Sequence, residues 1–154
     1  MPVDLAAMNT FLGPIRTTLW FAYQAITVGG LGLVWFAVPF AILLSLAVVS
    51  LVRVDKSQRS SLWVLLVLPA IWIFVGLWGG TFWVDWQHHP VHNNPSWVSY
   101  PIFVAPWLAI AATIFLALRL VGARLLVSAF GLINIYFTVF FSFMSGMAIT
   151  GDWL

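Results

Sequence analysis

Three histidines stand within five positions of one another, His88, His89 and His92, in a stretch that also carries Asp85, Trp83, Trp86 and Trp97. Neutral imidazole is a good ligand for copper, zinc or haem iron. On a helix His88 and His92 would share a face at i, i+4, although Pro90 opposes a regular helix through them. Met144 and Met147 are spaced i, i+3 and could add thioether sulfur to a Cu(I) site, with Asp85 and Asp152 as the nearest carboxylates in this reading. The chemistry offered is therefore metal or haem handling by His88, His89, His92, Met144, Met147 and Asp85. The competing reading is structural. Methionine pairs on helices fill gaps in packing, and a His-rich loop is often a solvated loop or a contact with a neighbouring subunit.

The elements that would have to hold this group are set by composition. Of 154 residues, 63% are hydrophobic and 6% charged, too little polar surface to cover a water-soluble globule. Apolar runs of about 18 or more residues can cross a bilayer as helices, because each backbone N–H and C=O is then bonded within its own segment. Four spans are expected, at about 24–52, 62–84, 100–118 and 125–149, in an all-α integral membrane protein forming an up-down bundle. The loop 85–99 then joins the second and third spans. The first span lies in a long apolar stretch, Leu19 to Val52, interrupted by Gly29-Gly30 and Pro39. One long helix is preferred there over two crossings. Ahead of it, Asp4 could cap a short interfacial helix carrying Leu5, Met8, Phe11 and Leu12 and ending at Gly13-Pro14.

Charge gives the orientation. Arg53, Lys56 and Arg59 sit in the first connector and Arg119 and Arg124 in the third, whereas the second connector and the C-terminal residues have no Lys or Arg. The positive-inside rule puts the basic connectors in the cytoplasm, and both termini and the His/Trp loop on the outer, periplasmic side of a bacterial inner membrane. Arg16 alone goes against the rule. The start of the chain lacks the basic segment and small-residue cleavage site of a signal peptide, so it is expected to remain on the mature protein.

Several function classes lose support from what the spans lack. No ionisable residue falls near the middle of a span, which disfavours ion-coupled transport and axial ligation of haem or bacteriochlorophyll at membrane depth. With no cysteine there is no thiolate metal site, iron–sulfur cluster or covalent c-type haem attachment. No phosphate loop or nucleic-acid patch is present. Ser96 or Ser99, His92 and Asp85 could be written as a triad, but no positioning motif supports it. Gln24 and Asn134 are the strongest polar residues within the spans and could hydrogen-bond across helices or, with the loop tryptophans, contact a ligand. Gly76, Gly79 and Gly80 in span two, and Ser128, Gly131, Ser142, Ser145 and Gly146 in span four, offer close-packing positions; Pro69 and Pro106 are candidate kinks.

The segment Trp78-Gly-Gly-Thr-Phe-Trp-Val-Asp-Trp86 resembles the tryptophan-rich outer loop of the haem-handling membrane proteins of cytochrome c maturation. The match covers nine residues. That family's loop ends in Trp-Asp where this chain has Asp85-Trp86, its haem-ligating histidines come from flanking loops, and its members have more spans. No site is carried over from it. The reading adopted is a non-catalytic membrane subunit of a larger, electron-transfer type complex, in contact with lipid, quinone or neighbouring subunits. The alternatives are a copper- or haem-handling protein, and a small oligomeric channel or lipid-handling protein.

Overall fold

The computed structural model describes residues 5–27, 34–54, 60–82 and 95–150, and among these the chain is helical without a strand. Helix α1 is Leu5–Gln24, α2 Val34–Arg53, α3 Val67–Thr81, α4 Tyr100–Arg119 and α5 Arg124–Thr150. Three short 3-10 segments, Ser60–Leu66, Ser96–Ser99 and Val121–Ala123, lead into α3, α4 and α5. Continuous helical segments covering Ser61–Thr81, Ser96–Arg119 and Val121–Thr150 are long and apolar enough to cross a membrane, and Val38–Arg53 is a shorter apolar helix. This is an all-helical, membrane-embedded protein.

Helix α5 lies at the centre, packing against α2, α3 and α4, while α1 lies mainly on α3. It is the most enclosed of the spanning helices. Its stripe Asn134, Thr138, Phe141, Ser145 and Ala148 is buried, and those positions recur every three or four residues, as one helix face requires. Where the surroundings are lipid, sequestering apolar surface gives little drive. Close van der Waals packing and interhelical hydrogen bonds must hold helices together instead, which favours small residues at contacts.

The glycines show this directly. A Cβ on Gly76 would lie 2.8 Å from the Phe141 ring and 2.9 Å from Thr18, and one on Gly79 would lie 2.8 Å from Ser145 Cα. On Gly80 it would meet Pro14 Cα at 2.7 Å, and on Gly131 it would collide with Thr113. Gly76, Gly79 and Gly80 therefore let α3 touch α1 and α5, and Gly131 lets α5 touch α4. Gly146 has open space around it, and Ser128 is exposed.

One expectation is corrected. The short N-terminal helix ending at Gly13-Pro14 is instead a continuous α1 that runs through Pro14 to Gln24. Pro14 removes one helical N–H, a cost of about 3 kcal/mol, but a break would leave further backbone groups without partners. The Thr18 hydroxyl donates to Pro14 O at 2.8 Å, and Pro14 is seated against Gly80. Of the single long helix expected across 24–52, the structure describes α1 as far as Gln24 and α2 from Val34, and the interval 28–33 lies outside the described residues. Helix α1 already widens to a π-type turn over 25–27.

Prolines elsewhere are absorbed. Pro39 lies inside α2 and Pro106 inside α4. Pro69 sits in the first turn of α3, just after the 3-10 segment Ser60–Leu66 gives way to α-helix. The Asp4 cap lies outside the described residues.

Candidate functional site

His88, His89, His92, Asp85, Trp83 and Trp86 lie outside the described residues, as does Asp152. Among the described residues, no group of three His, Cys, Asp or Glu could hold a metal ion. Of the proposed copper set, the structure places Met144 and Met147 on the last third of α5, both half-buried. Met144 packs against the cluster of Phe21, Ala25, Val75, Ala105, Phe141 and Ala148.

Trp97 and Trp78 frame the approaches to the His/Trp loop. The Trp78 indole N–H donates to Val98 O at 2.9 Å, joining α3 to the segment before α4. Phe82 lies 4.9 Å from Trp78, and Trp97 lies 6.1 Å from Trp78 and 5.9 Å from Phe82, the latter edge to face. Such aromatic pairs contribute about 0.5–1.5 kcal/mol each beyond area burial. Below them Val98, Ile102 and Ile149 form a small core. Residues 83–94, outside the described ones, are thus flanked by two stretches that are clamped to each other.

Asn134 sits at the centre of the bundle, 3% exposed. Its Oδ1 accepts from Trp72 Nε1 at 3.1 Å, and its Nδ2 donates to Phe130 O at 2.7 Å. Trp72 lies tilted against Phe137 and Phe141, with centroids 5.5 and 5.0 Å away. Both ends of the amide are bonded, so Asn134 acts as a polar link between α3 and α5. Ser145 makes a second such link, its hydroxyl donating to Val75 O at 3.0 Å. Gln24, half-buried, stands at the last position of α1.

One functional position was not anticipated from sequence. The Tyr136 hydroxyl donates to Ala25 O at 3.1 Å, bonding a carbonyl at the end of α1. The neighbouring rings Phe40, Phe137 and Phe140 surround Tyr136, and Phe40 belongs to α2. Tyr136 therefore binds together the end of α1 and the early part of α2. A tyrosine at one helical position gives no sequence signal for a carbonyl 111 residues away.

Among the open grooves of the described surface are three of similar size. One, about 460 Å³, is lined by Gly13, Arg16, Thr17, Trp20 and Gly80 where α1 crosses α3. The others, about 420 Å³ along α2 and about 340 Å³ between α3 and α4, are almost wholly apolar. Their chemistry suits hydrocarbon chains.

No family model, curated protein or solved structure matches this chain.

Proposed function

We propose that the chain is a non-catalytic integral membrane subunit of a larger bacterial inner-membrane complex of the electron-transfer kind. The carrying observation is the use made of the core polar groups. Asn134, Ser145 and Trp72 link α3 to α5, and Thr113 and Thr138 bond carbonyls of their own helices. This interior is built for holding helices together, and its outer flanks are broad and aromatic, with Trp63, Phe103 and Trp107 among the most exposed side chains. Such flanks suit lipid, quinone or neighbouring spans.

The contacts also support four traverses with both termini outside. Phe21 meets Phe141, Ala25 meets Tyr136, Phe40 meets Tyr136 and Phe137, and Ala47 and Val54 share a cluster with Ala123, Leu126 and Val127. Along α1 and then α2, the partners on α5 run steadily backwards. In this reading α1 and α2 together make one traverse. Arg53, Arg119 and Arg124 then gather at the cytoplasmic end.

The copper or haem alternative rests on His88, His89 and His92. Purification from native membranes in gentle detergent, with mass spectrometry, metal analysis and an optical spectrum, separates the two. Stoichiometric partner chains are expected. A solitary protein that retains copper or haem, and loses it when the three histidines become alanine, would overturn the subunit reading.

A further inference from the structure

Arg16 is the basic residue that the positive-inside pattern leaves unexplained, and the structure places it in a groove. Pro14 of α1 touches α3 at Gly80, where a side chain would collide with Pro14 and press on Thr17. Beyond that crossing the surfaces of α1 and α3 diverge, leaving the space of about 460 Å³ bounded by Gly13, Arg16, Thr17, Trp20 and Gly80. That volume falls in the range of roughly 300–1,000 Å³ typical of small-molecule sites.

The groove combines three features at one depth. Arg16 is exposed, with a guanidinium suited to bidentate contact with a phosphate. Thr17 adds a hydroxyl, and Trp20 adds an amphipathic ring of the kind that collects at the membrane boundary. The same end of the bundle carries Trp78, Phe82 and Trp97, a girdle that marks that boundary independently. The remaining lining is mostly apolar, as acyl chains below a headgroup would require.

We propose that this groove is a binding site for one anionic phospholipid of the outer leaflet, its phosphate held by Arg16 and Thr17 and its upper chain laid against Trp20 over Gly80. Charge complementarity selects the occupant. On the outer side of a bilayer the headgroups are the most abundant fixed anions, this chain's own Asp4, Asp85 and Asp152 lying outside the described residues, and the adjoining surface is hydrocarbon-like. The site also gives Arg16 a reason to be kept on that side. The proposal depends on the membrane placement of α1 and α3 and not on the subunit reading.

The test uses the full chain, purified and stripped of lipid, with native mass spectrometry against phosphatidylglycerol and phosphatidylcholine. Wild type should prefer phosphatidylglycerol about fivefold, the size expected for one basic residue near an anionic surface. R16Q should lose the preference and R16K should keep it. R124Q, at the opposite end, should leave it unchanged. In wild type, phosphatidylglycerol with a photoreactive headgroup should label the stretch 13–20 or Gly80, a readout that does not require any variant to fold. No headgroup preference in wild type, an unchanged preference in R16Q, loss in R124Q instead, or labelling elsewhere would each overturn the site. If the isolated protein proves to have no partner chains yet passes these tests, the lipid site stands and the subunit reading falls.

Discussion

The indole N–H of Trp72 donates to the amide oxygen of Asn134 at 3.1 Å, across the contact between α3 and α5 and 62 residues apart in sequence. The bond matters because Asn134 is buried at the contact between two helices long and apolar enough to cross a membrane. Replacing either partner leaves the other polar group to be satisfied by something else.

Trp72→Phe keeps most of the ring packing against Phe137 and Phe141 and removes the donor. A loss of about 1 kcal/mol is expected, with a similar loss for Asn134→Ala beyond its packing. Reversible unfolding in detergent or bicelles, arranged as a double-mutant cycle, should give a coupling of about 0.6 kcal/mol or more. Strict additivity would show that the bond has no net worth.

Glycine substitutions should split by their surroundings. Gly79→Ala places a methyl against the Ser145 backbone, and Gly131→Ala places one against Thr113; each should destabilise by about 1–3 kcal/mol. Gly146→Ala meets open space and should stabilise slightly, up to about 1 kcal/mol from helix propensity. Thermal denaturation in one detergent checks all three, and an equal effect at Gly79 and Gly146 would contradict the packing described.

Tyr136→Phe removes the hydrogen bond to Ala25 O while keeping the ring among Phe40, Phe137 and Phe140. The Ala25 carbonyl then loses its link to α5. Hydrogen exchange should rise in 20–27 with little change in α4, whose contacts do not involve Tyr136. Uniform exchange before and after the change would remove Tyr136 as the lock on this junction.

Topology can be read chemically because the chain has no cysteine. Single variants Thr10→Cys and Ser96→Cys should react with a membrane-impermeant maleimide in intact cells or spheroplasts. Ser60→Cys and Gly122→Cys should react only after permeabilisation. Labelling of Thr10→Cys together with Ser60→Cys from the same side would mean that α1 and α2 make two crossings, and the four-traverse reading would fail.

Some of this was legible in the residues alone. The apolar runs determined that the chain is helical and membrane-embedded, because lipid allows an isolated segment no other way to satisfy its backbone. Helices α4 and α5 run at Tyr100–Arg119 and Arg124–Thr150, within a residue or so of the spans expected at 100–118 and 125–149. Arg119 and Arg124 bound those runs. The copper set was not assembled from sequence into a described site, since its histidines and Asp85 fall outside the described residues.

Tertiary structure decided what periodicity could not. Pro14 looks like a helix end in sequence, yet it sits inside α1, held by Thr18 and seated on Gly80. Residues 24–52 read as one apolar run, and it is Tyr136 of α5 that meets both Ala25, just past α1, and Phe40 of α2. Hydropathy measures a segment's affinity for lipid and is blind to which neighbour supplies a missing donor or gives way to a close backbone. Those partners are settled only when the helices pack, which is why the sequence determined what kind of protein this is and the fold determined where its helices touch and where Arg16 faces a groove.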